Sequence, residues 1–267
     1  MKENKKYIGV FDSGLGGLTV LKELKKSMPN ESFIYFGDTA NLPYGNKSKA
    51  SVTQYSLNIA NFLFAQQVKA IVVACNTASS VALETLNKQY SIPVLNVVDP
   101  SVLKAVSNSK SKTIGVIGTE TTILSGTYQK KINKINKEIQ VVTRACPLFV
   151  PIIEEGLINK QFSDYIAEYY LQSFKNTSID TLILGCTHYP LFKSTIEKHI
   201  HSKVLIVDSA KATSEYVLKC LNNKKLLTKS KMILEDKYYV SDKPTVFNHL
   251  AKDILNIDTK AVQQISL

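Results

Sequence analysis

Two cysteines offer the chemistry most openly. Cys75 in AIVVACNTASS and Cys186 in TLILGCTHYPL each close an apolar run and are followed by amide, hydroxyl or imidazole side chains. A thiol at the carboxyl end of a buried strand faces the edge at which α/β sheets bind ligands. A helix beginning just behind it would draw its pKa below the ordinary value of about 8.5. Two such thiols on opposite sides of one ligand can exchange protons with both faces of a single carbon, one abstracting while the other donates. Asp12 suits the Cys75 side of such a pair, and His188, two residues beyond Cys186, suits the other. A single cysteine is more often a small buried hydrophobe, and Cys146 and Cys220 are read in that way.

The loop in VFDSGLGGLTV resembles a dinucleotide cradle, since an apolar strand runs into glycines and then into the helical spacing Leu18, Leu21, Leu24. Asp38, 22 residues beyond Gly16, stands where a ribose-binding acid would. Two features oppose that reading. Thr19 occupies the third glycine position, and the Asp12 carboxylate at the mouth would repel a pyrophosphate. The loop instead brings Asp12 and Ser13 to the ligand edge, although spacing alone allows both to be helix caps. Metal binding has little to build on: no CxxC pair occurs, and Cys186 with His188 lacks the remaining ligands.

Eight short runs must position these groups: YIGVFD, FIYFGD, AIVVAC, VLNVVD, TIGVIG, QVVTRAC, TLILGC and VLIVDS. Runs rich in Val and Ile without polar alternation are strands buried on both faces. The segments between them carry helical spacing, as in Val52, Tyr55, Ile59, Phe62, Leu63 and in Ile166, Tyr169, Tyr170, Phe174. The class is therefore α/β. Eight units could close into one barrel, but an internal echo favours two similar lobes. IGVFDSG is answered by IGVIGTE, and AIVVACNT by TLILGCTH, which sets the two cysteines 111 positions apart. The expected architecture is a pair of lobes related by pseudo-symmetry, each a mostly parallel sheet flanked by helices, with the site in the cleft. Near the end, Asp242 as a cap, Pro244 in the first turn and the face Phe247, Leu250, Ala251, Ile254 predict a last helix.

Composition bounds the partners. The chain has 267 residues, 44% hydrophobic and 21% charged, with no low-complexity linker, which is the profile of a globular protein. The start, MKENKK, is followed by too short an apolar stretch for a secretory segment, and the longest apolar run, Ala70 to Cys75, cannot cross a bilayer. A cytoplasmic protein with no membrane contact is expected. The net charge of +11 invites nucleic acid, yet Arg144 is the only arginine and the lysines are scattered without interleaved aromatics, so no nucleic-acid partner is expected. A positive field does favour a small anionic substrate.

At these residues the chain resembles the glutamate racemases of the cofactor-independent aspartate/glutamate racemase superfamily. FDSGLGGLTV, YFGDTANLPYG, VVACNTASS, ACPLFVPIIEEG, LGCTHYPLF and YYVSDKPTVF carry the resemblance, in order, over nearly the whole sequence. It implies interconversion of L- and D-glutamate with no pyridoxal phosphate or other cofactor and no metal. Cys75 would exchange the α-proton on the D side and Cys186 on the L side, assisted by Asp12, Glu154 and His188. Glu154 is preferred to Glu155 because Pro151-Ile152-Ile153-Glu154 fits the family motif. Asp12-Ser13, Tyr44-Gly45, Asn76-Thr77 and Thr187-His188 would bind substrate. The resemblance further implies lobe one at residues 1–98 plus 209–267, lobe two at 99–208, a homodimer, and supply of D-glutamate for peptidoglycan in a bacterial cytoplasm. Donors such as Ser13, Asn76, Thr77 and Thr187 agree with this, because a carbanion beside a carboxylate needs fixed hydrogen bonds. The alternatives are a racemase of aspartate or another acidic amino acid and, outside enzymes, a non-catalytic α/β binding protein.

Overall fold

The computed structural model describes residues 7–230, 233–255 and 262–267. All eight apolar runs hold strands: β1 (Ile8–Asp12), β2 (Phe33–Gly37), β3 (Ala70–Val73), β4 (Val94–Asn96), β5 (Thr113–Gly118), β6 (Gln140–Ala145), β7 (Thr181–Gly185) and β8 (Leu205–Val207). Two more follow, β9 (Lys237–Val240) and β10 (Val262–Gln264). They form two separate sheets, ordered β10-β9-β2-β1-β3-β4 and β6-β5-β7-β8, rather than one barrel. Every pairing is parallel. The four-strand orders β2-β1-β3-β4 and β6-β5-β7-β8 are the same, so Cys75 after β3 and Cys186 after β7 occupy equivalent ends.

Burial on both faces explains the unbroken apolar runs. In the first lobe, which holds the six-stranded sheet, Ile8, Val10, Tyr35 and Val72 join one core while Phe11, Ile34, Phe36 and Val73 join another across the sheet. The second lobe repeats this, with Ile117, Leu182 and Leu184 on one face and Ile114, Val116 and Ile183 on the other. The covering helices are α1 (Leu18–Ser27), α2 (Lys49–Ala65), α3 (Asn76–Val81), α4 (Leu83–Gln89), α5 (Val98–Asn108), α6 (Glu120–Leu124), α7 (Thr127–Ile135), α8 (Phe149–Glu154), α9 (Gln161–Leu171), α10 (Lys193–His199), α11 (Ser209–Asn223) and α12 (Pro244–Leu255). After β8 the chain returns to the first lobe, where Ala210, Val217 and Leu221 of α11 enter the core beneath α1. Among the described residues no helix is long and apolar enough to cross a membrane.

Several local readings change. The run VLNVVD is strand only as far as Asn96, because its side-chain oxygen accepts from the N–H groups of Val98 and Asp99, both at 2.9 Å, and starts α5. Tyr169 lies outside the buried face of α9 and is 59% exposed, while its neighbour Tyr170 turns inward. In α12, Phe247 and Ala251 are buried as expected; the side chains of Leu250 and Ile254 lie outside the described residues. The Asp242 carboxylate accepts from the N–H of adjacent Lys243, whose carbonyl receives the Phe247 N–H.

A buried ion pair pins the lobe at the opposite end from the cysteines. Lys69 enters β3 and Glu31 precedes β2, and their side chains are only 8% and 4% exposed where they meet. The second Glu31 oxygen accepts from the Thr228 N–H at 2.7 Å, which ties the returning chain to the same point. Removing one member leaves a buried charge without its partner. Lys69→Met is therefore expected to cost about 3–5 kcal/mol, read from the urea midpoint at constant slope. A loss under about 1 kcal/mol would mean that water reaches the orphaned carboxylate.

Candidate active site

The carboxyl ends of β1, β2 and β3 face those of β5, β6 and β7 across a closed cavity. Ser13, Tyr44, Gly45, Cys75, Asn76 and Thr77 line it from the first lobe, and Thr119, Val150, Glu154, Cys186, Thr187 and His188 from the second. It encloses about 20 Å³, room for about one water. An amino acid needs several times that, so the lobes must part to admit one. A larger cleft of about 880 Å³ lies nearby beside Lys47, Lys49 and Lys130, but neither thiol nor imidazole reaches it.

Two cysteines thus border one space, each in its own surroundings. Cys75 caps α3, with its sulfur accepting from the Ala78 N–H at 3.5 Å and lying 3.7 Å from the Ser13 hydroxyl. The helix end was expected to lower its pKa. Instead burial, helped by the negative charge of Asp12, pushes the thiol up to about 12, against the opposing pull of Ala78 and Ser13. A helix of six residues has too few N–H groups to offset full desolvation. Cys186 has a 3₁₀ turn behind it and an imidazole beside it, with its sulfur 3.8 Å from His188 Nδ1. His188 Nε2 lies 3.0 Å from a Glu154 oxygen. Burial opposes a charged imidazole, yet Cys186 and Glu154 together hold the pKa of His188 well above its ordinary value.

Asp12 stands one layer back. It is fully buried and outside the cavity lining, with its carboxylate accepting from the Gly14 N–H at 3.0 Å and facing the Thr187 hydroxyl at 3.5 Å. Burial raises its pKa, while His188 and the N–H groups of Gly14, Gly17 and Ser13 pull it down. Its charge is one cause of the high Cys75 value, which sets a sign for a test. Asp12→Asn should move the pH dependence of Cys75 alkylation by iodoacetamide, followed by peptide mass spectrometry, to lower pH. Because burial is the larger cause, the midpoint should stay above that of free cysteine. An unmoved or rising midpoint would contradict the assignment of Asp12 as the charge that Cys75 feels.

The glycine loop makes its turn against the other lobe. A Cβ on Gly16 would stand 2.4 Å from Thr187 Oγ1 and 2.5 Å from His188 Nδ1. Thr19, the residue that breaks the dinucleotide pattern, has its hydroxyl 2.8 Å from the Gly16 carbonyl and 3.1 Å from that of Thr187. The side chain that excludes a nucleotide loop thus joins the two lobes.

Every candidate from the sequence except Asp12 lines the cavity, and Asp12 lies directly behind it. Tyr44 donates to Asp38 at 2.6 Å, and Gly45 packs so closely on Thr119 that a Cβ would meet it at 2.6 Å. Sequence reasoning missed Thr119 and Thr122. Their hydroxyls form a triangle with that of Thr77, at 2.9, 3.1 and 2.9 Å. The signal was present, since IGVIGTE aligned on IGVFDSG sets Thr119 opposite Ser13. Asn76 is 2% exposed and its Nδ2 has no partner among the described residues, a cost of about 1–3 kcal/mol that a bound acceptor would relieve. Among the described residues no group of three or more His, Cys, Asp or Glu is placed to hold a metal.

Comparison with known proteins assigns the class. The Asp/Glu/hydantoin racemase family model matches residues 8–217, and the chain belongs to this family of amino-acid racemases. Its relatives narrow the assignment. The glutamate racemase of Geobacter metallireducens is 48% identical over 262 residues, covering 98% of this chain and 97% of that protein. Among solved structures, a glutamate racemase isoform from Bacillus anthracis superposes with a TM-score of 0.95 at 35% identity, covering 98% of both chains. The glutamate racemase of Francisella tularensis, solved in complex with D-glutamate, gives 0.93 at 39% identity and the same coverage.

Proposed function

We propose that this chain interconverts L- and D-glutamate by two-base proton transfer between Cys75 and Cys186. One observation carries the reading: two thiols from equivalent strand ends of two lobes border a single closed cavity. The relatives named for glutamate, and the one solved with D-glutamate, supply the substrate. In the D-to-L direction the Cys75 thiol proton first passes to Asp12, whose raised pKa suits it to accept it, and the resulting thiolate takes the α-proton and becomes a thiol again. The electron pair stays on the α-carbon and spreads into its carboxylate, and the Cys186 thiol protonates the opposite face, becoming a thiolate. The L-to-D direction reverses each step. Asp12 sets the charge near Cys75, and Glu154 holds the His188 imidazole against the Cys186 sulfur. Hydroxyls of Ser13, Thr77, Thr119 and Thr187 and the amide of Asn76 are donors for the substrate's carboxylates. Water excluded by closure strengthens each of these contacts.

The cellular role in this reading is supply of D-glutamate for peptidoglycan from a cytoplasmic homodimer. The chemistry is tested by incubating the protein with L-glutamate in D₂O. The circular dichroism signal should fall to zero as one deuterium enters the α-carbon. No deuterium uptake would end the reading, and faster turnover of L-aspartate than of L-glutamate would move the substrate assignment.

A further inference from the structure

Asn76 opens α3 directly behind Cys75, and the two ends of its amide meet different surroundings. Oδ1 accepts a hydrogen bond of 2.7 Å from the Tyr128 hydroxyl, while Nδ2 is buried without a partner among the described residues. The two ends of a carboxamide are nearly alike in shape, so packing alone does not decide which of them faces a ligand. Here the neighbouring hydroxyl donates to the oxygen, which leaves Nδ2 as the free end.

Tyr128 belongs to the other lobe. Its helix, α7, begins after Gly126, whose φ of 64° suits glycine. The Thr127 hydroxyl donates to the Ser80 carbonyl at 2.8 Å, so consecutive residues of the second lobe hold α3 near both of its ends. The Tyr128 ring is buried in the core with Val98, Ile132 and Ile183. It passes close to Gly185, where a Cβ would stand 3.3 Å from the ring, directly before Cys186. The side chain therefore runs behind both cysteine-bearing strand ends. Burial raises the pKa of its phenol, so the donated proton is kept throughout the working range.

We propose that Tyr128 is a positioning residue for substrate binding, whose hydroxyl fixes the Asn76 carboxamide so that Nδ2 is the end presented to the amino acid's carboxylate. The inference rests on the glutamate reading above. Because the hydroxyl and the amide belong to different lobes, parting the lobes frees the amide and closing them sets it.

Tyr128→Phe removes the hydroxyl and leaves the ring in the core. Calorimetric titration with D-glutamate and steady-state kinetics in both directions should give Kd and KM raised about ten-fold, with kcat changed less than about three-fold and a melting temperature lowered by no more than several degrees, the cost of the lost hydrogen bond. Asn76→Ala should weaken binding at least as much, and the double variant should bind no more weakly than Asn76→Ala alone. Parent-like Kd in Tyr128→Phe would overturn the proposal. So would a double variant weaker than Asn76→Ala by the full factor that Tyr128→Phe shows alone, since the ring environment and not the amide would then be responsible. Failure of the glutamate reading is distinguishable, because the parent protein would then neither bind nor racemise glutamate before any substitution is made.

Discussion

Alanine at Cys75 or at Cys186 is expected to lower racemisation in both directions by about 10³-fold or more, the scale of losing a positioned acid or base. Both directions fall because inversion needs one sulfur to take the proton and the other to give it. Each thiol is buried, and both border the same cavity, whose lining holds no third thiol to stand in for either. The two losses should differ in a second observable. Cys186→Ala keeps the sulfur on the D side, so D-glutamate in D₂O should still take up α-deuterium while retaining its configuration. Cys146→Ala and Cys220→Ala should racemise within a few-fold of the parent, since Cys146 packs in the second lobe's core and Cys220 against the first lobe's core. Parent-rate racemisation by Cys186→Ala would remove the two-base mechanism.

Gly16→Ala should have the next largest effect, although it adds only one methyl group. The added carbon would fall 2.4 Å from the Thr187 hydroxyl and 2.5 Å from His188, both across the cleft. Neither neighbour is a free chain end: Thr187 faces Asp12, and His188 is held by Glu154 and Cys186. Closure would have to stop short by about an ångström, and displacement on that scale costs on the order of 10²-fold in kcat/KM. The collision lies between lobes, so thermal unfolding should change little. Gly17→Ala is the contrast. Its methyl group would strike Asp12 Cβ at 2.4 Å and the Tyr35 hydroxyl at 2.8 Å inside one lobe, so it should lower the melting temperature as well as the rate. Equal destabilisation by the two substitutions would argue against a purely interlobe role for Gly16.

The strands that carry the chemistry were legible because parallel strands covered on both faces read as continuous Val and Ile runs. The internal echo separated two lobes from a barrel, and the shared strand order gives it a structural basis. What stayed hidden depends on contacts between distant segments. β9 and β10, with four and three residues, extend one edge of the first sheet and are too short for a pattern to register. The pairing of Lys69 with Glu31 spans 38 positions and leaves no periodic trace. The direction of the Cys75 shift was hidden as well, since the spacing revealed a helix end but not the burial and the nearby Asp12 charge that outweigh it. Thr119 is legible in the echo, where it stands opposite Ser13.

A chamber with space for little more than one water has a kinetic consequence. Glutamate cannot enter on every collision, because a doorway must form first, at a frequency that belongs to the protein alone. Capture should therefore rise with concentration only until it meets that frequency, then level off, and stopped-flow mixing should resolve the ceiling as a first-order step.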